Sequence, residues 1–98
     1  MVRSEDREEK PWGFYEDIFR SDEVVFKRIV IRPDEEISYQ RHSKRSEFWY
    51  VVEGTGYFRW NNVDKWKVKR GFTIKIKEND SQQLVNTGDT DLVIYEMQ

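Results

Sequence analysis

The sequence predicts a single all-β domain, a sandwich or barrel of short strands. Three observations carry this. Short runs rich in β-branched and aromatic residues alternate with turn signals along most of the chain. No stretch keeps a helical period. At 98 residues there is room for one core and not two. The aromatic supply fits a folded chain: four Trp, five Tyr and six Phe stand beside a charged fraction of 37%. A disordered chain of that charge would lack such rings.

The elements follow in order. Residues 1–10 form a polar N-terminal segment, expected to be mobile or to add to a neighbour's sheet edge. Pro11-Trp12-Gly13 opens the domain, which runs over residues 11–98. Trp12 to Phe19 reads as a strand, and Ser21-Asp22 as a turn. Val24 to Arg32 has the densest β-branched content and ends at Pro33-Asp34. Ile37 to Gln40 is a short strand. Phe48 to Val52 is a continuous apolar run, which predicts burial on both faces. Glu53-Gly54-Thr55-Gly56 turns into Tyr57 to Trp60, and Asn61 to Asp64 reads as a hairpin loop. Trp66 to Lys69 and Phe72 to Lys77 each alternate apolar residues with Lys or Thr, so each predicts a half-buried strand. Gln83 to Asn86, the turn Thr87-Gly88-Asp89 and Asp91 to Met97 complete eight or nine strands. Periodicity leaves jelly-roll, immunoglobulin-like and up-and-down arrangements open.

Charge and composition exclude several classes. The formal net charge of −2 offers no basic nucleic-acid footprint. No apolar run approaches a membrane-spanning helix, so no membrane partner is expected. Met1 to Lys10 lacks the apolar centre of a secretory signal, and a cytoplasmic location is the expectation. Without Cys there is neither a disulfide framework nor a thiolate metal site. GxSxG, P-loop and GxGxxG patterns are absent.

The stretch from Ser38 to Gly54 resembles the first motif of the cupins. Gln40, His42, Glu47 and Gly54 fall in its slots, with Gln40 and His42 as the QxH form found in the type II mannose-6-phosphate isomerases. Gly71, Lys77, Asn79, Gln82 and Asn86 lie at the second motif's spacing, and Gly71 and Asn86 keep the usual type. Pro11-Trp12-Gly13, the strand Phe26 to Pro33, the pattern Arg45-x-Glu47-x-Trp49 and the closing Tyr95 to Gln98 are similar to the same branch. The resemblance covers Lys10 to Gln98. It implies a cupin-type double-stranded β-helix, or jelly-roll barrel, with a divalent metal inside it.

Gln40 and His42 are two apart and share a face of an extended strand. With Glu47 and Gln82 they form the ligand set that the resemblance implies. His42 is the sole histidine. The set is therefore rich in oxygen donors, suiting zinc, manganese, iron or nickel without selecting among them. Arg45, Arg28, Tyr39 and Trp49 are the candidate substrate-binding residues. Arg can grip a phosphate in bidentate fashion, and rings can stack on sugar faces. Arg41 and Lys44 read as a solvated loop, with Lys44 the candidate to move a proton if the chain is catalytic. Glu96, in the closing strand, reads as a satisfied core carboxylate.

Two readings of function result. In the first, a metal-binding cupin acts on a phosphorylated or nucleotide-linked sugar, interconverting aldose and ketose. In the second, a non-catalytic carbohydrate-binding or regulatory cupin keeps a degenerate metal site. Three features favour the second: Gln82 replaces the usual His, Phe48 follows Glu47, and the chain ends at Gln98 where isomerases of this branch continue. A homodimer is expected in either case, because small barrels leave edge strands to cover.

Overall fold

A computed structural model describes residues 7–37, 40–41, 46–60, 63–77 and 81–98. At 40, 41, 64, 65 and 81 the description is of the backbone alone. Ten strands follow one another: β1 (Arg7–Lys10), β2 (Gly13–Arg20), β3 (Val25–Ile31), β4 (Gln40–Arg41), β5 (Glu47–Glu53), β6 (Thr55–Trp60), β7 (Val63–Lys69), β8 (Thr73–Ile76), β9 (Ser81–Asn86) and β10 (Leu92–Met97). They form two antiparallel sheets. The larger has the order β1-β2-β3-β10-β5-β8, and the smaller β4-β9-β6-β7. Sequence neighbours β5 and β6 belong to different sheets, so the chain crosses over between layers as a jelly roll does.

Turns and edges follow from the sequence. Gly54 makes the corner between β5 and β6 with φ of 94°, and a Cβ there would sit 2.5 Å from the Asp91 carbonyl oxygen. Only glycine fits such a corner without strain. At Gly56 a Cβ would lie 2.0 Å from the Val85 carbonyl oxygen, so β6 and β9 pack backbone on backbone. The outer strands are β1 and β8 in one sheet, β4 and β7 in the other. Each is either short or studded with charge (Arg-Glu-Glu-Lys in β1, Lys67 and Lys69 in β7), which discourages unwanted strand addition.

Two expectations change. Residues 7–10 do not lead in loosely. They form β1 and pair with β2 of the same chain, Arg7 opposite Glu16 and Lys10 opposite Gly13. The Tyr15 hydroxyl donates to Glu8 across this pair. That bond, with burial adding to it, raises Tyr15 to about 12; the same bond, with Lys10 beside it, lowers the Glu8 carboxyl. The apolar run in β5 is not buried on both faces. Glu47, Trp49 and Val51 are buried, while Phe48 and Tyr50 are 44% and 41% exposed. The cause is architectural: among the described residues no helix covers the outside of the larger sheet.

The core lies between the two inner faces. Ile31, Trp49, Ile76 and Ile94 come from the larger sheet, Phe58, Val68 and Leu84 from the smaller. Trp49 ties them together. Its ring meets Phe58 edge-to-face, with centroids 6.0 Å apart at 83°. Its Nε1 donates to Glu96 Oε2 at 2.7 Å, and Gln98 Nε2 donates to the other oxygen at 2.8 Å. Glu96 is thus the satisfied core carboxylate the sequence suggested. Asn86 fixes the far end of β9, donating to the Ile31 and Thr90 carbonyls and accepting from the Gly88 N–H.

Replacing Trp49 by Phe keeps most of the apolar bulk but removes the N–H from a carboxylate that is 4% exposed. Urea denaturation should show a loss of about 1.5–3 kcal/mol, the range for hydrogen bonds to charged groups. A stability within experimental error of the parent would show that this bond does not hold the core.

Candidate functional site

The site begins with two inward-facing polar side chains on opposite sheets. Glu47 opens β5, where residue alternation turns it inward with Trp49 and Val51; it is 2% exposed. Gln82 lies in β9 and is 0% exposed. Strand register places both at one end of the barrel. Glu47 is the Cα partner of Ile76 on β8. Gln82 has Trp60 as its partner on β6 and Gln40 as its partner on β4. Ile76 and Trp60 line one and the same cavity. Register thus sets Glu47 beside Ile76 and Gln82 beside Trp60, the residues that line this cavity from opposite sheets.

The remaining site residues divide. The backbone of Gln40 lies opposite Gln82, so it reaches this end of the barrel. Tyr39, His42, Lys44 and Arg45 lie outside the described residues. Trp49 is 1% exposed, with its N–H given to Glu96, so little of it remains for a ligand. Arg28 is opposite Tyr95, which is opposite Tyr50, and this row lies on the outer face of the larger sheet. There its Nη1 is 3.2 Å from Glu16 Oε1. The register does not bring Arg28 together with Glu47, which is on the inner face.

Residues that the ligand pattern did not single out line the mouth. The cavity there has a volume of about 440 Å³. Phe58, Trp60 and Trp66 line it from the smaller sheet, Ile74 and Ile76 from the larger, with exposed Lys75 and Lys77 alongside. It opens between β7 and β8, each an outer strand of its sheet. Phe58 and Trp66 stack with centroids 5.7 Å apart at 25°, and Trp66 is still 45% exposed. A signal for this existed in the sequence: Trp60 and Trp66 bracket a hairpin, at positions whose alternation turns them inward.

Chemically, the cavity offers aromatic walls, with a buried carboxylate and a buried amide on the strands paired with those that line it. Among the described residues, no three His, Cys, Asp or Glu side chains gather as a metal cluster. The donors at hand, carboxylate and amide oxygens, are of the type that binds divalent ions.

Comparison with known proteins agrees with this architecture. The family model described as "Mannose-6-phosphate isomerase C-terminal" matches residues 2–98. A mannose-1-phosphate guanylyltransferase of Escherichia coli (strain K12) is 46% identical over 46 residues, which is 47% of this chain and 10% of that protein. The xanthan biosynthesis protein XanB of Xanthomonas campestris is 41% identical over 46 residues, again 10% of its length. The match thus spans about a tenth of these relatives. Among solved structures, a predicted oxalate decarboxylase of Thermotoga maritima superposes with a TM-score of 0.78 at 25% identity, covering 99% of this chain and 96% of that one. An RmlC-like cupin of Shewanella frigidimarina gives 0.76 at 19% identity, covering 97% and 85%. With its two crossed-over sheets and a family match over nearly its whole length, the chain is a cupin-fold domain belonging to the mannose-6-phosphate isomerase C-terminal family.

Proposed function

We propose that this domain is a metal-binding cupin that acts on a phosphorylated or nucleotide-linked sugar, with aldose–ketose isomerisation as its reaction. The observation that supports it is a pair of buried polar side chains, Glu47 and Gln82, each in register beside a residue that lines one cavity, in a chain of this family. Gln40, His42, Glu47 and Gln82 would hold the ion. A bound divalent ion supplies Lewis-acid polarisation of a sugar carbonyl. The chain's own residues supply the rest. The aromatic walls exclude water and orient the ring. Lys44 and Arg45 stand within five residues of His42 and Glu47 in sequence, suited to move a proton and to bind phosphate.

A second reading keeps the sugar ligand without turnover. It is favoured by Gln82, whose neutral amide is a weaker ligand than imidazole. Elemental analysis of the purified protein, together with a coupled assay from mannose 6-phosphate to fructose 6-phosphate, separates the two. Near-stoichiometric metal with turnover supports the first reading. No turnover at saturating divalent metal removes the isomerase. His42→Ala should abolish metal uptake and leave the fold intact. Unchanged uptake would show that the ligand set is wrongly assigned.

Two copies are proposed to pair through the outer face of the larger sheet. Phe48, Tyr50 and Met97 are 44%, 41% and 43% exposed there and lie side by side in the β5–β10 register. Exposed apolar patches of this kind mark contact surfaces, and isologous pairing is the common solution. Sedimentation at micromolar concentration should give twice the chain mass, dropping on Tyr50→Glu. A monomeric mass for the parent protein would rule the pairing out.

A further inference from the structure

We propose that the outer face of the smaller sheet carries a separate site for a diphosphate group, held by Lys67, Lys69 and Arg70 with Thr55 on its wall. The site stands apart from the barrel interior and rests on neither the metal nor the sugar reading.

Strand register makes the cluster. Lys69 is the Cα partner of Thr55 and Lys67 of Tyr57, while Val68 and Gly56 between them are buried. Alternation therefore turns Lys67, Lys69 and Thr55 outward together. Arg70 and Gly71 follow, in the turn that carries the chain from β7 to β8. That turn is pinned at three points. The Gly71 N–H donates to the Val51 carbonyl at 2.8 Å, the Phe72 N–H to the Lys69 carbonyl at 3.0 Å, and the Val51 N–H to the Phe72 carbonyl at 2.8 Å. Arg70 thus projects from a fixed backbone. With Phe72, these residues line a hollow of about 620 Å³, within the range of small-molecule pockets. Nothing lies within 4 Å of where a Cβ would stand at Gly71, so the turn leaves the hollow open.

Charge is the second observation. Three cations line the hollow and no carboxylate does. Several other cations are matched: Arg20 meets Asp17, Arg28 meets Glu16, Arg32 meets Glu9 and Arg59 meets Glu36. Lys67, Lys69 and Arg70 pair with no acid among the described residues, in a chain with 19 acidic and 17 basic residues. Like charges so placed repel, and their joint field favours a multiply charged anion. A single phosphate would leave part of that charge unanswered. Two linked phosphates engage both lysines and still offer an oxygen pair to the forked guanidinium. Phe72, half-buried against the core, adds an apolar wall on which a base joined to the diphosphate would lie. Thr55 and Trp60 are the first and last residues of β6, so the hollow stands about 17 Å along the strand from the aromatic cavity, and both can be filled at once.

The test is calorimetric titration of the metal-stripped full chain at low salt with inorganic diphosphate, inorganic phosphate, adenosine and guanosine diphosphates, mannose 6-phosphate and a short DNA duplex. Diphosphate should bind about tenfold more tightly than phosphate, and more weakly as salt rises. Arg70→Ala should weaken it about tenfold, and Lys67→Ala and Lys69→Ala several-fold each. Thermal melting should not change, because all three side chains are exposed. Arg32→Ala removes one positive charge from the other sheet and is the control that should change nothing. A nucleoside diphosphate binding above free diphosphate makes the source a nucleotide, and equal affinities make it the free anion. Phosphate or mannose 6-phosphate binding as tightly as diphosphate refutes recognition of linked phosphates. Diphosphate binding that Arg70→Ala and Lys69→Ala leave intact, or that Arg32→Ala weakens equally, overturns the site. A DNA duplex binding more tightly than diphosphate replaces the site by a general polyanion surface. No binding of diphosphate overturns it outright, while metal uptake and sugar turnover, measured separately, decide the other reading.

Discussion

Trp49 passes its indole N–H to Glu96 within one sheet and its ring edge to Phe58 in the other. Phe58 in turn stacks on Trp66 at the open side of the barrel. One aromatic file thus runs from the core to the mouth. In a chain without Cys and, among the described residues, without a helix, the two layers are held mainly by side chains that cross between them. The file does this with large rings in specific orientations. It also explains why a buried carboxylate is tolerated at Glu96: two side-chain donors meet its two oxygens.

The fold was readable because strand alternation and turn chemistry agree along the chain. Val68, Ile74 and Ile76 turn inward and Lys67, Lys69 and Lys75 outward, as their spacing requires. The corner at Gly54 lies where the motif placed it. Sequence periodicity failed at β5, where Phe48 and Tyr50 look like core residues. Alternation says which residues share a face, but it does not say whether another layer covers that face. Nor did the polar run in residues 7–10 reveal its partner, because a charged edge strand and a solvated tail have the same composition.

The site was legible in part, for a similar reason. Glu47 and Gln82 were named from the resemblance to the cupin motifs, and both are buried. Trp49 was named because it flanks the motif and Arg28 as a cation able to grip a phosphate, and neither ground says which face of a sheet a side chain occupies. Trp49 is spent on the core and Arg28 on Glu16. The residues that line the mouth, Trp60, Trp66 and Lys75, come from three strands of two sheets. No local pattern unites them; the crossover does.

Among the described residues, β7 and β8 each pair on one side only. Prising them apart would therefore strip side-chain contacts without rupturing a ladder bond. Exposed side chains change rotamer in picoseconds to nanoseconds, far faster than strands separate. Opening at that gap would need the half-exposed Trp66 indole to swing and no ladder bond to break. A barrel left unsewn along one side gains a doorway whose hinge is a rotamer.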